Sequence, residues 1–130
     1  MKPYILIVED NALNRELLCD WLEVEGFEVS SAEDLSAARR ALEARRPDAV
    51  LLDVQLGAED GLSLAGWMRK VPKLNGIPVI AVTAHAMAAE QERFLHAGCN
   101  ACVPKPIDFK VLREELARWL DTSRALRMNS

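Results

Sequence analysis

Two periods alternate along the chain. Short apolar runs rich in β-branched residues are each followed by a stretch whose apolar residues recur three and four apart. Residues 4–8, Tyr-Ile-Leu-Ile-Val, predict a buried strand. Residues 12–26 set Leu13, Leu17, Leu18, Trp21 and Leu22 on one helical stripe that ends at Gly26. Residues 27–32 alternate as a strand, and 34–46 read as a helix capped by Asp34 or Ser36 and stopped before Pro47. The run 48–53 is the next strand, 56–61 a loop by composition, and 62–70 a helix weakened by Gly66. Strand 77–83 follows, with Pro78 suited only to its start, then helix 86–98 ending at a glycine and a short last strand at 100–104. Residues 108–120 form an amphipathic helix with Asp108 as N-cap and Val111, Leu112, Leu116, Trp119 and Leu120 facing inward.

A strand–helix pair thus repeats five times. Strands that are apolar throughout and separated by helices predict a parallel sheet covered on both faces. The expected fold is a doubly wound α/β sandwich of flavodoxin-like order, 2-1-3-4-5, in one domain over residues 1–121, with 122–130 as a frayed tail.

Composition narrows the function. The 130 residues carry a net charge of −4, which argues against a nucleic-acid footprint. No apolar run reaches the ~20 residues of a membrane span, and the N-terminus lacks a cleavage signal, so a cytoplasmic protein with no membrane partner is expected. Three cysteines at irregular spacing do not make a disulfide framework.

In open parallel sheets, ligands bind beyond the carboxyl ends of the strands. The first strand runs into Glu9 and Asp10, the third into Asp53, the fourth into Thr83 and the fifth into Lys105. An aspartate after the apolar run Ala-Val-Leu-Leu is costly inside a core and reasonable at such a mouth. Three carboxylates at one rim repel, so either one takes a proton or a hard divalent cation binds, Mg²⁺ or Mn²⁺. With Lys105 and Thr83 to meet phosphoryl oxygens, the Asp53 carboxylate is the nucleophile placed for in-line phosphoryl transfer.

The segments "ILIVEDN", "VLLDVQL", "VIAVTAHAM" and "VPKPI", in this order, resemble the receiver domain of two-component response regulators, the CheY-like superfamily, over about residues 4–120. The wording is nearest to single-domain receivers of the DivK type, and hybrid-kinase receivers look similar. The resemblance implies that Asp53 accepts a phosphoryl group from a histidine kinase or phosphotransfer protein. It implies Asp10, Asp53 and the backbone carbonyl of Gln55 as metal ligands, with Glu9 acting through water. Thr83 and Lys105 would touch phosphoryl oxygens, and small Ala84 would leave the pocket open. Gln55 and His85 match positions that tune hydrolysis, and Lys105–Pro106 matches a cis bond. The implied output is a downstream protein bound on the face of helix 86–98, the last strand and the last helix.

This sequence departs from the pattern in three places. Cys102 stands where an aromatic switch residue is usual, which suggests a small-amplitude switch driven through Thr83 or the backbone. Gly57 replaces a common proline, so the loop "LGAEDG" is expected to be looser and more acidic. Pro104 restricts the last strand.

Plainer readings compete. Asp10 alone could be the N-cap of the first helix. His96, Cys99 and Cys102 could suggest zinc or a redox pair, but a fourth ligand is wanting and the pair does not open a helix. The tryptophans read as packing, and the arginines of "ARRALEARR" as a solvated face or a basic docking patch. An aspartyl phosphatase of the haloacid-dehalogenase type would want an acid where Gln55 stands. A degenerate receiver would lack the intact rim. Met1 and the tail favour a stand-alone protein over a piece of a hybrid kinase.

Overall fold

The computed structural model describes residues 2–84 and 87–128, the stretch 122–128 by its backbone alone. In chain order the elements are β1 (Tyr4–Val8), α1 (Ala12–Val24), β2 (Glu28–Ala32), α2 (Leu35–Ala44), β3 (Ala49–Asp53), β4 (Gln55–Leu56), β5 (Glu59–Asp60), α3 (Leu62–Lys70), β6 (Val79–Thr83), α4 (Ala88–His96), β7 (Ala101–Pro104) and α5 (Phe109–Met128).

Five strands pair in parallel in the order β2-β1-β3-β6-β7. Numbering only these strands, that is the expected 2-1-3-4-5. Side chains alternate across a strand, so one run feeds two cores. Ile5, Ile7, Ala49, Leu51 and Ile80 join Leu18 and Leu22 of α1 and Leu112, Leu116 and Leu120 of α5. Leu6, Val8, Val50, Leu52 and Val79 join Ala38 and Leu42 of α2, Leu64, Ala65 and Met68 of α3, and Phe94 of α4. Every residue of β1, β3 and β6 is buried, which is why these strands read as unbroken apolar runs. Burying each leucine contributes roughly 1.5–3 kcal/mol.

Local chemistry sets the element ends. Asp34, not Ser36, caps α2: its carboxylate accepts from the Ala37 N–H at 2.7 Å. Asp108 accepts from the Lys110 N–H at 2.9 Å at the start of α5. Helices α1 and α4 end at Gly26 and Gly98, where the Phe27 and Cys99 N–H groups reach back to Leu22 and Phe94 carbonyls. Arg69 ties the far end of the sheet together. Its guanidinium donates to the carbonyls of Gly98, Asn75 and Ile77 and to Asn100 Oδ1, which also accepts from the Val79 N–H.

Four expectations are corrected. Segment 56–61 is not a loose loop: β4 and β5 form an antiparallel ribbon, with Gly57 at φ 58° in its turn. Its acids have structural roles: Glu59 accepts from the Leu35 N–H and Asp60 from the Leu62 N–H. Leu13 and Leu17 are 64% and 54% exposed, because the first turns of α1 project past the strand ends. Val111, in the first turn of α5, is exposed for the same reason. Beyond Asp121 the chain continues as helix to Met128, in a stretch without glycine or proline to stop it.

Among the described residues, no helix is long and apolar enough to cross a membrane. The tryptophans sit half-buried at helix faces; Trp21 packs on Phe109, ring centroids 4.7 Å apart.

Gly66 lies inside α3, and a methyl group there would meet only the Ala97 carbonyl oxygen, at 3.8 Å. Gly66→Ala is therefore expected to raise stability by about 0.5–1 kcal/mol in urea unfolding. A destabilised variant would show that α3 and α4 pack more tightly than this contact allows.

Candidate functional site

The candidate side chains stand on strand ends and the turns that follow them. β1 delivers Glu9 and Asp10, β3 ends at Asp53, β6 ends at Thr83, and Lys105 follows β7. In the register Asp53 lies opposite Val82, so Thr83 is one residue further along the adjacent strand. The Lys105 N–H donates to the Thr83 carbonyl at 2.8 Å, which places the lysine next to that strand end. The Lys105–Pro106 bond is cis.

Carboxylate oxygens of Glu9, Asp10 and Asp53 lie within 4.8 Å of one another. Glu9 and Asp53 are buried; Asp10 is exposed. Two full charges at such spacing repel by about 3–4 kcal/mol at an effective dielectric of 20. The chain supplies several compensating donors. The Lys105 ammonium donates to Asp53 Oδ2 at 2.8 Å and lies 4.0 Å from Glu9 Oε2. The Gln55 N–H donates to Asp53 Oδ1 at 2.9 Å, and the Asn11 N–H to Glu9 Oε1 at 3.1 Å. Burial, the strongest influence, pushes the Glu9 carboxyl up to about 7. A hydrogen bond with Asp53 and repulsion from its charge add to the rise, while the Asn11 N–H and Lys105 oppose it.

Asp10 is not the helix cap: Asn11 is, its side chain accepting from the Asn14 N–H at 3.0 Å. That leaves the Asp10 carboxylate at the rim. All-oxygen donors at close spacing, one exposed and two buried, fit a hard divalent cation.

Other expected residues take varied places. Gln55 opens the ribbon with its backbone against Asp53. Ala84 is exposed just past Thr83. Cys102 is half-buried on β7 opposite Ala81, and burial pushes its thiol up, as it pushes Cys99 up to about 12. His85 lies outside the described residues.

Two contributors were not legible from residue type. Arg15 on α1 donates to the Glu9 carbonyl at 2.9 Å and reaches the Asp10 carbonyl at 3.5 Å, holding the acidic turn. Its only sequence signal is its place early in the first helix, on the side of the turn it follows. Gly61 sits so close to the end of β3 that a Cβ would lie 2.4 Å from the Asp53 carbonyl oxygen. In the sequence it looks like any loop glycine.

The family model of the response regulator receiver domain matches residues 5–117. The chain belongs to that family. This receiver is 40% identical over 121 residues to the polar-differentiation response regulator DivK of Brucella anthropi, covering 92% of this chain and 98% of that protein. The receiver domain of sensor histidine kinase PA1611 from Pseudomonas aeruginosa is 34% identical, with a TM-score of 0.84 over 93% of this receiver and 99% of that chain. That structure holds a magnesium ion coordinated in its active-site cleft. A CheY-like receiver protein of Methanospirillum hungatei gives a TM-score of 0.87 at 27% identity, covering 96% of this receiver and 98% of that chain.

Gly61→Ala is expected to push the Asp53 backbone away, lowering stability by about 1–3 kcal/mol. Divalent-ion affinity, measured by titration calorimetry, should fall with it; unchanged affinity would show that the acidic rim does not depend on this close approach. A second test uses pH. A Glu9 carboxyl raised from 4.5 to about 7 favours folding below its unfolded value and loses that contribution as pH rises through its folded value. In EDTA, Glu9→Gln should therefore gain stability relative to wild type as pH rises from about 4.5 to 7. A constant difference across that window in paired thermal unfolding curves would contradict the crowding of Glu9 and Asp53.

Proposed function

We propose that this receiver takes a phosphoryl group from a phosphohistidine donor, a histidine kinase or phosphotransfer protein, onto the Asp53 carboxylate. The observation that carries the reading is the gathering of Glu9, Asp10 and Asp53 within 4.8 Å, with the Lys105 ammonium 2.8 Å from Asp53. An Asp53 oxygen attacks phosphorus, the P–N bond to imidazole breaks, and its electron pair leaves with the ring nitrogen. The Asp10 and Asp53 carboxylates and the Gln55 carbonyl would hold Mg²⁺, with Glu9 acting through water. Bound there, the ion neutralises charge on the phosphoryl oxygens during an in-line transfer.

Lys105 moves its charge from Asp53 toward those oxygens, and the Thr83 hydroxyl donates to another. Ala84 leaves the approach open, and Gln55 and His85 tune return to the unphosphorylated state. The protein is then a signalling module and not a turnover enzyme. A phosphatase of the dehalogenase type would need an acid where Gln55 stands.

Donor docking is supported by exposed apolar residues flanking the acceptor. Leu17 and Phe109 line a cleft of about 370 Å³ that also includes Glu9 and Lys105. The output surface is proposed on α4, β7 and α5. There a cleft of about 190 Å³ is lined by Phe94, Leu95, Cys102 and Glu115, with Leu95 exposed at its edge. A role like that of the DivK relative, with which the chain aligns along 98% of that protein's length, is the output proposed.

Acetyl phosphate with Mg²⁺ should add phosphate to wild-type protein and none to Asp53→Asn, read by intact-protein mass spectrometry. EDTA should abolish the gain. A variant that still labels, or a wild type that never does, would overturn the reading.

A further inference from the structure

At the opposite end of the sheet from Asp53, a groove of about 670 Å³ runs between the end of α2 and the end of α3. Its floor is apolar, formed by Leu42, Trp67, Val71 and Leu74. The Arg39 guanidinium lies over the Trp67 ring, 5.1 Å from its centroid. Arg46 and Lys73 stand at the rim, and the Arg46 guanidinium donates to the Lys73 carbonyl oxygen.

The charges here are out of balance. Among the described residues, no carboxylate lies within ion-pair distance of Arg39, Arg46 or Lys73. Arg45, beside them, is already paired in two bonds with Glu28. Within the groove one acid, Glu43, faces two cations without a carboxylate partner, Arg46 and Lys73, in a chain whose net charge is −4. Arg39 lies on the adjoining surface with Glu43 and Glu59. Helix-dipole compensation accounts for part of this, since Arg46 follows the C-cap Arg45 of α2; Lys73 lies beyond the C-cap Val71 of α3, in the turn after that helix.

We propose that this groove docks an acidic segment of a partner protein that carries apolar anchor residues. The anchors would sit on Leu42, Val71 and Leu74, beside Trp67, and the carboxylates would pair with Arg46 and Lys73. A nucleotide fits less well, because Arg39 already covers the indole face on which a base would stack. Strands of five residues put the groove about 15 Å from the phospho-acceptor, so docking there does not compete with phosphoryl transfer. The site would tether a partner in either phosphorylation state.

The test titrates isotope-labelled full-length protein with a synthetic peptide of glutamates and helically spaced leucines. Controls are the same peptide with lysine for glutamate, and ATP. The acidic peptide should give saturable shifts at the Trp67 indole N–H and the Val71 and Lys73 amides. Affinity should drop about tenfold or more in Arg46→Glu/Lys73→Glu. It should be unchanged in Asp53→Asn, while Arg46→Glu/Lys73→Glu still accepts phosphate. Absent or misplaced shifts, equal binding of the basic peptide, undiminished binding by the charge-reversed protein, or ATP acting in place of the peptide would each overturn the proposal.

Discussion

Three carboxylates meeting at one sheet rim is the arrangement around which the rest of this molecule is organised. Their mutual repulsion opposes folding, and the surrounding chain offsets it with specific donors. Lys105 reaches Asp53 from the turn after β7, across β6; Gln55 and Asn11 offer backbone N–H groups, and Glu9 moves toward its neutral form. The offset is incomplete, since the Asp10 carboxylate stays exposed beside two buried acids. A rim left short of positive charge is suited to a divalent cation.

That rim depends on packing well away from it. β1, β3 and β6 are buried along their whole length, so their ends are stiff platforms for Glu9, Asp53 and Thr83. The β4–β5 ribbon returns the chain so that Gly61 presses on the Asp53 backbone, and Arg15 clamps the turn that presents Asp10. Two lysine contacts, the backbone to Thr83 and the ammonium to Asp53, join the ends of β3 and β6 into one unit.

Much of this was legible in the order of residues. The alternation of periods predicts five strands, five helices and their layering, because burial on both faces demands unbroken apolar runs. The acidic, hydroxyl and ammonium groups were findable because each directly follows such a run. What escaped has a common physical cause. The ribbon at 55–60 is too short to carry a period, and its acids look like loop residues although they accept backbone hydrogen bonds. Leu13 and Val111 satisfy the helical stripe but lie beyond the strands that could cover them. Gly61 and Arg15 act through backbone contacts, which residue type does not encode. The cations around Trp67 read as a solvated face until α2 and α3 are seen to share a groove.

The proposed divalent-ion site joins Glu9, Asp10 and Asp53 at the strand ends. Paramagnetic Mn²⁺ tests it directly when added at low ratio to isotope-labelled protein. Amide signals of residues 9–11, 53–57 and 83 should broaden first, and excess Mg²⁺ should restore them. Broadening centred elsewhere, or none at all, would contradict the account.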